Sequence, residues 1–345
     1  MAFIINKQGF KTILIKIILN YKSFFSGIIL KQSFFKKYDG YLISKRFFLL
    51  LMLLFLFNKN IFSQPIYNNQ VYNGNRFKTI VIAESAATTI GLIGLHYLWY
   101  KKFPHSRFHF FDDSKEWLNM DKAGHATTSY NLSAVQFNMM SYAGIKNNQA
   151  TWIGGLTALG FQTIIEIFDG FSQKWGFSKT DMLANIIGTS LFMTQQFAYK
   201  EQRVQMKFSF HHSIYAKYNP AELGSNKWQR WLKDYNGQTY WISVNPASFM
   251  KSNTEFPRWL NASIGYGADG MTGGSKNASE INGKPIPTFI RQRKYYFSLD
   301  ANLKNLDRKN LNTKALLVIP EIFKLPFPSV EFKKQSPLKF YWLYF

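Results

Sequence analysis

The sequence predicts an α+β protein: a membrane-associated antiparallel helical bundle followed by a small antiparallel β-rich domain. Two observations predict it. Four apolar segments of helix length, joined by short connections, lie between Thr79 and Phe197. From Arg203 onward the apolar period changes to alternation, the mark of a strand with one apolar face. A third observation bears on the setting. The chain holds 34 Phe and 19 Tyr but only 18 % charged residues, a balance that suits the cell envelope better than a cytosolic enzyme.

Before the first helix the chain reads as an export signal. Lys45 and Arg46 precede an uncharged apolar run from Phe47 to Phe57, too short to cross a bilayer, and a polar stretch follows Ser63. We therefore expect a signal peptide over residues 45–63. Residues 1–44 show neither helical nor strand period and are expected to be a leader or a non-native extension, with translation beginning near Ile43. Cysteine is absent, which excludes a disulfide framework, a thiolate metal site and a cysteine nucleophile.

The four helical segments are expected at Thr79–Tyr100, Asp121–Tyr142, Gln149–Phe168 and Asp181–Phe197. Glycines at 91, 94, 154, 155, 160 and 188 permit close helix contact. The lengths permit spanning a membrane, and the distribution of basic residues leans the same way. Lys101, Lys102, Arg107, Lys115, Lys174 and Lys179 would face one side and Lys146 the other, which would leave the C-terminal domain on the periplasmic side.

Short connections make neighbouring helices antiparallel, so the start of the second, the end of the third and the start of the fourth fall at one end of the bundle. Those ends carry Asp121, Lys122 and His125, then Glu166 and Asp169, then Asp181 and Asn185. Asp121 and His125 share a helix face, as do Asp181 and Asn185. These seven are the candidate ligand-binding residues. His125 with Asp121 or Glu166 could act as a general base, and Asp169 and Asp181 are the candidate ligands for a divalent cation. Structural roles stand beside these. Asp121 could cap the second helix, Ser178 the fourth, and Asp169-Gly170 suits a helix end with glycine in a left-handed conformation. Glu166 is the hardest to explain structurally, because a helix C-terminus disfavours its charge; it needs Lys122 or His125 as a partner, or it protonates.

At this point the residues resemble a family. The Asp121-Lys122…His125 and Asp181…Asn185…Gly188 elements, with Glu166…Asp169-Gly170-Phe171-Ser172 and Trp175-Gly176-Phe177-Ser178, resemble the YfiM-like family of uncharacterised predicted periplasmic lipoproteins. The skeleton also resembles, more distantly, the VanZ-like membrane proteins. The resemblance covers residues 78–200 and implies an envelope location without implying a reaction. Without cysteine the chain has no site for a lipoprotein's lipid, so attachment would come from the bundle or the tail.

Residues 201–345 are expected to form a basic, aromatic β-rich domain, with strands at Val204–Phe210, Thr239–Val244, Ala262–Ala268, Phe289–Leu299, Ala315–Ile319 and Phe340–Phe345. Six are too few for a closed bacterial barrel, so a small sheet outside the bundle is expected. His211-His212 are assigned to a strand surface. The net charge of +23 is concentrated before the first apolar run and in this tail. With no zinc-finger or RNA-binding pattern, it points to membrane lipid or an anionic envelope surface and away from nucleic acid. No protein partner is legible. No nucleophile elbow, phosphate loop, zinc helix or cofactor motif is present, and no reaction is specified. The expected function is that of a membrane-associated scaffold or binding protein with a polar site at one end of the bundle. The alternatives are an enzyme or binder acting on a lipid-linked or cell-wall precursor, and an outer-membrane barrel or its accessory.

Overall fold

The computed structural model describes residues 71–345 apart from residues 102, 251–255, 282, 306–316, 318 and 335, all within the compact unit Asn60–Phe345. The expected signal peptide and the extension before it lie outside the described residues.

Helix α1, Gly74–Leu95, starts where the Asn73 side chain accepts from the Arg76 amide (2.9 Å) and ends in a π-helical turn, His96–Tyr100. None of its residues is fully buried. It leans on α2 through Phe77 and Ile80 and through Glu84, whose Oε2 accepts from Gln136 Nε2 (2.9 Å). Helices α2 (Met120–Tyr142), α3 (Asn147–Gly170) and α4 (Lys179–Tyr199) pack on one another, and α2 also meets the sheet. Their shared core is Tyr130, Ala134, Phe137, Met140, Ala150 and Phe192. The helical boundaries agree with those expected to within about five residues, the usual scatter of terminal turns being somewhat smaller.

The spanning pattern expected for all four helices is not supported. Among the described residues only α1 and α3 are long and apolar enough to cross a membrane, and a third of the α3 window is buried against its neighbours. Helix α2 is the reason. It is surrounded by other elements yet buries Thr127, Ser129, Asn131, Ser133, Gln136 and Asn138. These groups turn inward and all but the Thr127 hydroxyl bond: Ser133 Oγ donates to the Ser129 carbonyl (2.8 Å), and Asn131 Nδ2 to those of Thr127 (2.9 Å) and Met206 (3.0 Å).

After α4 the chain forms a six-stranded antiparallel sheet in the order β1-β2-β3-β6-β7-β8. The strands are β1 Val204–Phe210, β2 Gln238–Val244, β3 Leu260–Asp269, β6 Gln292–Ala301, β7 Phe327–Lys333 and β8 Lys339–Tyr344. A separate hairpin pairs β4 (Glu280–Ile281) with β5 (Lys284–Pro285), and short helices α5 (Pro220–Leu223) and α6 (Lys227–Lys233) follow β1. Two expectations are corrected. Of the strand expected at Ala315–Ile319, residues 315, 316 and 318 lie outside the described residues, and the two that are described, Leu317 and Ile319, are helical. The true strand is β7, where prolines at 326 and 328 hide the alternation. Nor does the sheet stand outside the bundle. Tyr130 Oη donates to the Val204 carbonyl (3.2 Å), tying α2 to β1. His211 and His212 lie just past β1, with the His211 amide bonded to the Gly237 carbonyl (2.9 Å).

One glycine fixes how closely α4 approaches α2. A Cβ on Gly188 would stand 2.0 Å from the Ala126 carbonyl oxygen, a backbone atom that cannot swing aside. Gly188→Ala is therefore expected to destabilise the fold by about 1–3 kcal/mol through overpacking, seen as a lower midpoint in denaturant unfolding.

Candidate functional site

The expected convergence of the helix ends is present. Helix α2 begins after three successive non-glycine residues with positive φ, Trp117, Leu118 and Asn119 (46°, 53° and 67°). Such a run is strained, and it is held from outside: the Leu118 carbonyl accepts from Tyr266 Oη, and Asn119 Nδ2 donates to the Ser114 carbonyl (2.8 Å). It delivers Asp121, Lys122 and His125 inward on the first turns of α2. Asp121 is therefore a first-turn residue and not the cap expected for it; the N-cap position is Asn119, which makes no side-chain capping bond. Gly124 allows the Tyr240 hydroxyl to come close, since a Cβ there would lie 2.8 Å from it.

Helix α4 begins as expected, with Ser178 Oγ accepting from the Asp181 amide (3.0 Å). Gly170, at the end of α3, is not left-handed; its lack of a side chain instead makes room for the Phe108 ring. The segment before α2 lies along the α3–α4 connection, with the His109 amide bonded to the Gly170 carbonyl (2.9 Å) and the Phe177 amide to the His109 carbonyl (2.9 Å). That pairing carries Asp113 to the head of α4.

Lys122 sits among three carboxylates, 2.7 Å from Asp113 Oδ1, 2.9 Å from Asp181 Oδ1 and 3.4 Å from Asp121 Oδ2. Asp121 Oδ1 and Asp181 Oδ2 point the other way, towards His125 Nε2, at 3.8 and 4.0 Å. His125 Nδ1 lies 3.2 Å from Asn185 Oδ1. Asn185 Oδ1 also accepts from Ser129 Oγ (2.9 Å) and Gln162 Nε2 (2.9 Å), so it is an acceptor, and Nδ1 carries the proton it receives. That tautomer leaves Nε2 with its lone pair between two carboxylate oxygens. Asp121 Oδ1 is further fixed by Tyr235 Oη (2.5 Å).

Glu166 is 1 % exposed. Its Oε2 accepts from the Ser178 amide (3.1 Å), while Oε1 has no hydrogen-bond partner and lies 3.7 Å from His125 Nδ1. Desolvation raises its pKa to about 8, against the smaller opposing pull of His125. Asp169 stands slightly apart, its Oδ1 accepting from Tyr100 Oη (2.9 Å), and burial raises it to about 7. Burial likewise pushes Asp181 up, and neighbouring Asp121 pushes it further. Asp113, beside it, is held down by its hydrogen bonds and by Lys122, which outweigh its own desolvation. Lys122, among so many carboxylates, is held well above the usual lysine range despite its burial.

All seven residues expected at the site thus lie at this end of the bundle. Of the two proposed general-base partners of His125, both Asp121 and Glu166 are near it. Of the two acids expected to hold a cation, Asp181 faces the imidazole, whereas Asp169 is engaged with Tyr100. Sequence reasoning missed Asp113, Ser129, Gln162 and Tyr235. Ser129 and Gln162 were signalled, since each is four residues from an expected member on the same helix face (His125 and Glu166). Asp113 and Tyr235 come from loops, and no periodicity marks them.

The comparison with known families falls on this region. Residues 109–196 match the family model described as predicted periplasmic lipoprotein (DUF2279). The resemblance to an uncharacterised family of periplasmic lipoproteins is borne out, and it agrees with the cell-envelope location expected from the sequence. The DUF2279 match contains every residue of the site except Tyr235 and Tyr100. The likeness to VanZ-like membrane proteins finds no support in it. No curated protein and no solved structure matches the chain.

The raised pKa of Glu166 makes a prediction about stability. A carboxyl whose folded pKa lies above its unfolded value of 4.5 contributes stability that is fully present below pH 4.5 and lost as pH rises through about 8. With a chelator present, Glu166→Gln is expected to remove that loss. The variant should gain about 2–5 kcal/mol relative to the parent between pH 5 and pH 9, read from unfolding curves at each pH.

Proposed function

We propose that this protein is a membrane-associated cell-envelope binding protein whose ligand is a divalent transition-metal ion of the zinc type, held by Asp121, His125 and Asp181. The observation that carries the reading is the orientation of His125. Its Nδ1–H is committed to Asn185, and its free Nε2 faces Asp121 Oδ1 and Asp181 Oδ2, with all three donor atoms within 4.8 Å of one another. A ligand histidine fixed through its other ring nitrogen is the usual arrangement around a bound metal. One imidazole and two carboxylates suit zinc and its first-row neighbours better than calcium or magnesium.

The surroundings support a cation. Five acids, Asp113, Asp121, Glu166, Asp169 and Asp181, face one lysine and one imidazole, and Lys122 occupies the oxygens that point away from His125. Side-chain exposures of 17 % at His125 and 22 % at Asp121 leave a small ion a way in. Association with a membrane is supported by α1, an apolar helix of 22 residues with no buried residue. It is supported too by exposed Trp152, Leu156, Ile164 and Phe168 along α3.

Zinc titrated into the chelator-treated full chain by calorimetry is expected to fill one tight site. Asp181→Asn and His125→Ala should each weaken it at least about tenfold, and Asn185→Ala should do so by about 10–100-fold through loss of the fixed tautomer. Binding should release protons, because Glu166 and Asp181 ionise beside a cation, so the apparent enthalpy should vary with the buffer's ionisation enthalpy. Unchanged zinc affinity in a normally folded His125→Ala chain would exclude the site.

A further inference from the structure

The sheet is built with its polarity reversed. The register gives one row across the strands as Gln205, Ser243, Ser263, Ser298 and Ser329, and the row beside it as Met206, Ile242, Ile264, Phe297, Val330 and Phe340. In a water-soluble protein the first row would face solvent and the second would be covered. Here the first row is buried throughout. Outside the β1 edge, where α2 covers Met206, the second is open at Ile242, Ile264, Phe297 and Phe340, with Ile264 62 % exposed, and half-buried at Val330.

The inward face is a polar interior. Lys207 and Asp300 pair at 2.8 Å with essentially no exposure, and Lys207 Nζ also donates to the Ala301 carbonyl (2.7 Å). Ser243 Oγ donates to Asp300 Oδ2 (2.8 Å), and Trp241 Nε1 to Ser209 Oγ (2.9 Å). The sheet curls around this interior. Tyr344 of β8 meets Thr239 of β2 at 3.0 Å between their hydroxyls, although β3, β6 and β7 lie between these strands. In a flat sheet those strands would be about 19 Å apart, so the inner face must be concave.

We infer that the convex apolar face of this sheet, formed by β3, β6, β7 and β8, is embedded in the hydrocarbon of a lipid bilayer. Polar inside and apolar outside is the wall pattern of membrane β-structure, and it is unfavourable in water on both faces at once. Strands β3 and β6 have ten residues each, the length that crosses a hydrocarbon layer when tilted. Tyr295, Phe297, Leu299, Phe332, Phe340 and Trp342 supply the outward surface of the last three strands. One end of these strands is basic. Arg293, Lys333, Lys334 and Lys339 follow the apolar rows there, where anionic headgroups would lie. This extends the membrane association proposed above from the helices to the sheet, and either can fail without the other.

The absence of cysteine makes the test direct. Single cysteines placed at Ile264, Phe297 and Trp342, and in parallel at Ile90 of α1 and Ser275 of an exposed loop, are labelled with an environment-sensitive fluorophore in the full chain. The labelled chains are mixed with vesicles of phosphatidylethanolamine and phosphatidylglycerol. The three sheet labels are expected to shift to the blue and to be quenched by brominated acyl chains, while the Ser275 label stays quenchable by aqueous iodide. Sheet labels that stay accessible to iodide on vesicle-bound protein overturn the inference, and if Ile90 alone enters lipid, helix-based association survives it. No binding to vesicles at all overturns both. A blue shift without vesicles that grows with protein concentration also overturns it, assigning the face to a second copy of the chain.

Discussion

A polar helix at the centre of the molecule constrains the rest. Helix α2 is enclosed by α1, α3, α4 and the sheet, so the polar groups it buries have to look inside for partners, and most find one, the hydroxyls of Thr127 and Ser141 excepted. Gln136 reaches Glu84 on α1, Ser129 reaches Asn185 on α4, and Asn131 reaches the backbone of β1. With its polar side chains spent inward, the bundle is left with apolar residues on the outer faces of α1 and α3. The sheet repeats the same inversion through Lys207, Asp300 and the serine row. The proposed bilayer setting would account for both inversions at once.

The helix-end cluster is the concentrated form of this inward polarity. Lys122 ties together Asp113, Asp121 and Asp181, elements far apart in the chain, at 2.7 to 3.4 Å. A lysine placed this way organises the acids and directs their remaining oxygens. Those of Asp121 and Asp181 are turned to His125, and Asn185 sets the imidazole. Burial raises the carboxyls of Glu166, Asp169 and Asp181, the last even with Lys122 beside it. The arrangement is more than a set of helix caps: Ser178 caps α4, but Asp121 caps nothing and Glu166 sits where a helix end disfavours it.

The DUF2279 match and the geometry are complementary. The match covers α2, α3, most of α4 and the loop bearing Asp113, while α1, the sheet and Tyr235 lie beyond it. Yet the two parts meet at the site, since Tyr235 bonds Asp121 and Tyr266 of β3 bonds the strained turn that aims α2 inward. The sheet therefore has a part in holding the site, whatever surface it offers outside. The family description speaks of lipoproteins; in the reading proposed here the apolar outer surface would itself meet the membrane.

The amino-acid sequence by itself determined the α+β class, the four helices and the meeting of Asp121, His125, Glu166, Asp181 and Asn185, because helix periodicity and short connections leave few ways to arrange antiparallel neighbours. Five of the six main strands were legible from alternation. The sixth, β7, was not, because proline interrupts the pattern while the strand's neighbours supply its pairing. Only the tertiary structure decided which face of each strand is inside, since alternation shows that two faces differ without saying which one is enclosed. It alone brought Asp113 and Tyr235 to the site, for loop residues follow no period. It also set the direction of each carboxylate oxygen, which depends on contacts between residues that the chain keeps far apart.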